Sequence, residues 1–220
     1  MFCEDHCRRH GRRQRAPGNR TGSPSSQILE TLHADGIAEL PAGLEITHAD
    51  QVVEMSDNPA TAFKEKKDSS LTVGLNLLKE GVGDAFVSAG STGALLSAAT
   101  LLVKRVKGIR RAALAPVVPT GKGGAVLIDC GATAECTPEF LLQFAFMGSY
   151  YAERVLGRPE PKVGLLNIGA EPSKGTELQQ EAYQLLKKAG EEGRINFTGN
   201  VEAREAVEGA VDVIVSDGYS

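Results

Sequence analysis

The sequence predicts an α/β fold, a three-layer α/β/α sandwich around a mostly parallel sheet, and three observations predict it. Short continuous apolar runs recur along the chain instead of strict polar–apolar alternation, the pattern of strands buried on both faces. Segments with helical spacing separate these runs, as crossover connections require. Apolar residues make up 41% of the 220, and the formal charge is only −4, so one sizeable core can be buried. Four scattered cysteines do not make a disulfide scaffold. The longest nearly apolar stretch, Gly93 to Val103, is too short to span a bilayer, and no apolar signal segment opens the chain. The expected address is the cytoplasm.

The chain is expected to fall into two parts, 1–26 and 27–220. The first carries six Arg against Glu4 and Asp5, a net +4, while the remainder carries −8. With Phe2 as its only large apolar residue, this leader is expected to be disordered and outside the fold. Two other readings are a nucleic-acid-binding arm and a zinc knuckle of Cys3, His6, Cys7 and His10. The arm lacks aromatic residues for stacking, and the knuckle lacks a second, distant ligand pair. No metal site, cofactor or nucleic-acid partner is expected.

From Gln27 a short helix runs to Ala34, and Leu44 to Thr47 reads as a strand. Asp57 or Asn58 can cap a helix with Pro59 in its first turn. Its apolar positions continue through Phe63, Leu71, Leu75 and Leu78, and Gly81 and Gly83 suit its end. Asp84 to Val87 reads as a buried strand and Thr92 to Val106 as a helix. Strands follow at Ala113–Val118 and Ala125–Ile128, then a helix at Pro138–Leu156 capped by Thr137. The remaining order is strand Lys162–Asn167, helix Gly175–Ala189, strand Ile195–Thr198, helix Val201–Glu208 and strand Val211–Val215.

In such sheets chemistry sits beyond the carboxyl ends of the strands, which singles out four loops. In the first, Ser88, Gly90, Ser91, Thr92 and Gly93 combine small side chains, hydroxyls and free amides, which suit a phosphate or merely a tight capped turn. In the second, Asp129 and Gly131 flank Cys130; the carboxylate can orient a neighbour or close an Asx turn. A nucleophilic Cys130 would lack a base, since no His follows His48, so Cys130 and Cys136 read as small buried hydrophobes.

In the third loop, Asn167, Gly169 and Lys174 lead into a helix. A lysine opposes the helix dipole there, and a bound anion gives it a reason; a solvated surface lysine is the alternative. Lys174 is the leading catalytic candidate. In the fourth, Asn200 is placed to cap the next helix, with Glu202 and Arg204 in its first turn. Ser216-Asp217-Gly218 then follows the last strand.

Six segments occur in an order and spacing that resemble one family. They are Ser-Ala-Gly-Ser-Thr-Gly-Ala-Leu (88–95), Ala-Leu-Ala-Pro (113–116), Leu-Ile-Asp-Cys-Gly-Ala (127–132) and Leu-Leu-Asn-Ile-Gly-Ala-Glu-Pro-Ser-Lys-Gly (165–175). Ile-Asn-Phe-Thr-Gly-Asn-Val-Glu-Ala-Arg (195–204) and Asp-Val-Ile-Val-Ser-Asp-Gly (212–218) complete the set. The chain resembles the PlsX phosphate acyltransferases from about Gln27 to Ser220. That resemblance implies a fold related to phosphotransacetylases and to isocitrate and isopropylmalate dehydrogenases. It implies transfer of a fatty acyl group from acyl-carrier protein to inorganic phosphate, for phospholipid synthesis, with no cofactor. It also implies a homodimer loosely associated with the inner membrane face. Lys174 would hold phosphate or the oxyanion, Ser88, Gly90, Thr92 and Gly93 would line the site, and Asp129 would support it.

Ser91 and Thr133 stand where the family typically has Asn, and Ala112 where it has Pro. The family's opening Asp-Ala-Met-Gly-Gly-Asp loop and its later Gly-Asn-Val segment have no counterpart. The resemblance therefore implies an internal fragment, impaired in activity. A non-catalytic phosphate- or carrier-binding remnant and a phosphate acetyl- or butyryltransferase are the alternatives.

Overall fold

A computed structural model describes residues 25–40 and 42–220. The expectations for the leader and its Cys/His cluster fall outside these residues, apart from Ser25 and Ser26, which open the first helix. The chain divides into two compact units, the first ending at Lys104 and the second running from Arg105 to Ser220.

The first unit is helical. Helix α1 spans Ser25–Ala34, α2 Ala62–Glu65, α3 Ser70–Lys79 and α4 Thr92–Ala98, and α4 runs on into a π-helical turn over Ala99–Val103. Phe63, Leu71, Leu75, Ala94 and Ala98 form its buried cluster, flanked by Val53, Leu78, Phe86 and Leu102. The single helix expected from Pro59 to Leu78 is broken in two. Ser69 takes up extended backbone and its hydroxyl accepts from Thr72 N–H at 3.3 Å, so a new helix starts where the old one would have continued. Lys66 holds the break by donating to Val52 O at 2.8 Å and pairing with Asp57 at 2.5 Å.

Neither strand expected here forms. Residues 44–50 and 84–87 have no ladder, and the nearest thing to one is an isolated parallel bridge between Gln51 and Ser69. The apolar run at 84–87 has a different cause. Phe86 packs so closely over Gly74 of α3 that a Cβ there would lie 2.2 Å from the ring, while Val87 is 92% exposed. Burial on a helix satisfied the pattern that reads as a strand.

The second unit contains the sheet. Strands β1 (Val117–Thr120), β2 (Gly123–Ile128), β3 (Lys162–Leu166), β4 (Asn196–Val201) and β5 (Val213–Val215) lie in the order β1-β2-β5-β3-β4. β1 pairs antiparallel with β2, and the other neighbours are parallel. Helices α5 (Pro138–Arg154), α6 (Glu177–Glu191) and α7 (Ala203–Glu208) connect them. Two apolar clusters give the layers. Val126, Ile128, Val163, Leu165, Val213 and Val215 pack with Leu141 and Phe144 of α5 and Ala182 and Leu186 of α6. Ala125, Val201 and Ile214 pack with Ala206 of α7. The expected three-layer α/β/α arrangement is present, and each fully buried large apolar side chain contributes about 1.5–3 kcal/mol. Gly148 lets α5 approach the sheet, since a Cβ there would sit 2.5 Å from Val213 Cγ1.

Because β2, β5, β3 and β4 are mutually parallel, their carboxyl ends share one edge. The loops opening at Asp129, Ser216, Asn167 and Glu202 leave from that edge in that spatial order.

Candidate functional site

The loop after β2 is built around Asp129, whose side chain is 1% exposed. Its Oδ1 accepts from Leu114 N–H at 2.8 Å and its Oδ2 from Thr133 N–H at 2.7 Å. Its own N–H donates to Ser216 O at 2.9 Å, and Gly218 N–H donates to Thr133 O at 2.9 Å, so the loop is sewn to the end of β5. Arg111 Nε donates to Thr133 Oγ1 at 2.8 Å, a contact that nothing in the spacing of the two residues announced. Asp129 thus spends both oxygens on backbone. Gly131, at φ 105°, turns the chain beyond it.

The two cysteines differ from each other: Cys136 packs partly buried against the core, close to expectation, and Cys130 departs from it. Cys130 is exposed rather than buried. Cys136 is partly buried and donates to Thr133 O at 3.4 Å. Burial pushes the Cys136 thiol above its ordinary range, and the Asp217 and Asp129 carboxylates push the same way, which disfavours a thiolate nucleophile.

The loop after β3 is held differently. Asn167 N–H donates to Val201 O at 3.0 Å, and the Asn167 side chain accepts from Ile168 N–H at 2.8 Å and donates to Lys174 O at 3.1 Å. Gln180 Nε2 reaches back to Ser173 O at 2.9 Å, and Thr176 N–H donates to Gln179 Oε1 at 3.1 Å. That last pair is half of a capping box, visible in the sequence as Thr-x-x-Gln at 176–179. Gly175 needs its left-handed φ of 86°, and a Cβ there would meet Asn167 Oδ1 at 2.7 Å. Helix α6 begins at Glu177, two residues after its expected start.

Lys174 therefore has a fixed backbone and an exposed side chain. Its stem lies against Gly169, with Cγ 3.1 Å from where a Cβ on that glycine would stand. Among the described residues its ammonium forms no ion pair and no hydrogen bond, and the amides of Gly169 and Ala170 donate to nothing. One carboxylate is close: Glu171 Oε2 also lies 3.1 Å from that Cβ position.

Asn200 does not cap α7. It lies in β4, and its Nδ2 donates to Glu171 O at 2.8 Å, tying the fourth loop's residue to the third loop. Its Oδ1 is buried with no partner among the described residues. The cap is Glu202, whose N–H donates to Glu205 Oε2 at 3.3 Å. The strand simply runs three residues further than apolar content indicated. On the second unit, then, hydrogen bonds to the backbone of the third loop join Asn167, Lys174 and Asn200, with Gly169 packed against the Lys174 stem; Asp129 and Gly131 form a second group, and Glu202 is a helix cap.

The 88–93 loop belongs to the first unit. Ser88 Oγ accepts from Gly90 N–H at 3.1 Å, and Ser91 caps α4 by accepting from Ala94 N–H at 3.4 Å. Thr92 and Gly93 open that helix, and a Cβ on Gly93 would lie 3.1 Å from Pro59.

Residues 23–220 match the family described as "Fatty acid synthesis protein". The chain is 54% identical over 177 residues to the phosphate acyltransferase of Alkaliphilus oremlandii (strain OhILAs), covering 80% of this chain and 52% of that protein. It is 47% identical over 205 residues to the phosphate acyltransferase of Clostridium acetobutylicum, covering 90% and 61%. The chain thus spans roughly half the length of the curated relatives it matches. In fold it is similar to a phosphotransacetylase from Streptococcus pyogenes, with TM-score 0.65 at 18% identity over 90% of this chain and 68% of that one. The EutD phosphotransacetylase from Staphylococcus aureus gives 0.61 at 18% identity, over 88% and 68%. On these matches the chain belongs to the fatty acid synthesis protein family, the PlsX family of phosphate acyltransferases.

Proposed function

We propose that this chain carries the phosphate-handling part of a phosphate acyltransferase, which moves a fatty acyl group from acyl-carrier protein to inorganic phosphate for phospholipid synthesis. The observation that carries the reading is the Lys174 loop: among the described residues its ammonium has no partner and the amides of Gly169 and Ala170 donate to nothing, on a backbone fixed by Asn167, Gly175 and Gln180. A dianion needs such a cation and such donors. A phosphate oxygen attacks the thioester carbonyl carbon, and the tetrahedral oxyanion collapses with loss of the carrier's thiolate. The products are acyl phosphate and, after proton uptake, free carrier protein. Lys174 stabilises negative charge on phosphate or on the oxyanion. Asn200, Asn167 and Gly169 shape the pocket, and Asp129 and Gly131 hold the neighbouring loop. Ser88, Gly90, Ser91, Thr92 and Gly93, on the first unit, are a separate group of candidate phosphate donors. Phosphate is already nucleophilic, so no Ser or Cys nucleophile is used.

The wider setting is part of the proposal: a cytoplasmic homodimer resting on the inner membrane face. No helix among the described residues is long and apolar enough to cross a membrane. The test compares palmitoyl-carrier protein with acetyl-coenzyme A, each with phosphate, and follows the acyl phosphate formed. Acyl phosphate from the carrier-bound donor supports the reading. Acyl phosphate from acetyl-coenzyme A alone points to a short-chain transferase, and phosphate binding without turnover to a binding remnant.

A further inference from the structure

Between Ala85 and Ile128 the sequence has six cations and no carboxylate, in a chain whose net charge is −4. Three of those cations, Arg105, Lys107 and Arg110, sit on one exposed turn at the start of the second unit. This turn is built, not loose. Gln143 of α5 grips it from both sides, accepting from Arg110 N–H at 2.8 Å and donating to Gly108 O at 3.2 Å. Within it, Ile109 N–H donates to Val106 O at 3.0 Å and Arg105 Nε to Ile109 O at 3.2 Å.

Among the described residues none of the three cations forms an ion pair, and the Glu139 carboxyl of α5, held below its ordinary range first by the Thr137 hydroxyl, also feels Arg110. Val106, between Arg105 and Lys107, is 78% exposed. A rigid turn presenting three unpaired cations around an apolar side chain suits an acidic protein face. Its order lowers the entropic cost of docking, and its charge speeds encounter. A lipid surface fits less well, since one valine on a turn is not the apolar stripe that an interfacial segment inserts.

We propose that the Arg105–Arg110 turn is the docking surface for an acidic face of the acyl-carrier protein that brings the thioester. This rests on the acyl-transfer reading above. The experiment titrates the 220-residue chain against fluorescent palmitoyl-carrier protein by anisotropy, at low and at raised salt. The doubly reversed variant Lys107→Glu/Arg110→Glu is set beside a control of the same charge change on α6, Lys187→Glu/Lys188→Glu. All four side chains are exposed, and circular dichroism verifies that both variants fold.

The turn variant is expected to bind at least tenfold more weakly, with a flatter salt dependence, while the control stays within about twofold of the parent. Equal losses in both variants, no loss in either, or no carrier binding by the parent chain overturn the proposal. Vesicles containing phosphatidylserine form a separate arm. Loss of vesicle binding with carrier binding intact would assign the turn to the membrane instead. Acyl phosphate formation is read independently: turnover that survives in the turn variant with an unchanged KM for the carrier sinks the docking surface alone. Carrier binding that depends on the turn without any turnover sinks the acyl-transfer reading alone.

Discussion

The loops after β2 and β3 leave the same edge of the sheet, yet they use charge in opposite ways. Asp129 is buried, and both of its oxygens are committed to backbone amides from 114 and 133. Lys174 is exposed, and its ammonium is committed to nothing among the described residues, while the backbone beneath it is held by neutral side chains. Position after a strand nominates both residues equally. The difference teaches that a group whose hydrogen bonds are already satisfied holds a shape, whereas one kept unsatisfied on a rigid base is available to a ligand.

The largest expected effect separates the two roles. Lys174→Ala should lower turnover about 100- to 1,000-fold, and weaken phosphate binding, with a change in stability within about 0.5 kcal/mol. Chemical denaturation run beside the acyl phosphate assay checks both halves. Asp129→Ala should reverse that profile, leaving two buried amides without an acceptor at a cost of about 3 kcal/mol, read as a lower denaturation midpoint. If Asp129→Ala kept full stability and Lys174→Ala lost it, the contrast between the loops would collapse.

Gly175→Ala tests whether the base under Lys174 needs to be rigid. A left-handed φ of 86° and the approach of Asn167 Oδ1 should cost about 2 kcal/mol and weaken phosphate binding without touching the amine. Glu171→Gln removes the loop's own carboxylate and should tighten phosphate binding about threefold, measured by calorimetry. The smallest effect lies within the Asp129 loop. At mildly alkaline pH, iodoacetamide should label exposed Cys130 well before Cys136, whose thiol burial keeps protonated. Because the folded state holds that proton longer than the unfolded chain, stability from Cys136 should fall as pH rises past the ordinary thiol range, and Cys136→Ala should remove the decline.

Much of the second unit was legible because β2, β3 and β5 carry largely buried runs of Val, Ile and Leu, and α5 and α6 have marked starts. Thr137 before Pro138 and Thr176 three residues before Gln179 are such marks. The first unit was less legible. Its apolar runs at 44–47 and 84–87 form no ladder, Phe86 of the second packing on α3 instead, and Ser69 interrupts what periodicity reads as one helix. At the site, Lys174 stood out because a cation before a helix needs a reason. Gln180 and Arg111 did not stand out, because their value lies in reaching backbone carbonyls and a hydroxyl that only folding brings near. Asn200 was placed on the wrong element since Gly199-Asn200 looks like a turn, yet here it extends β4.

Lysine acetylation footprinting, with and without inorganic phosphate, tests the central claim most directly. The account predicts saturable protection of Lys174 by phosphate at concentrations that leave Lys187 and Lys188 of α6 fully reactive. Equal reactivity of Lys174 with and without phosphate would contradict it.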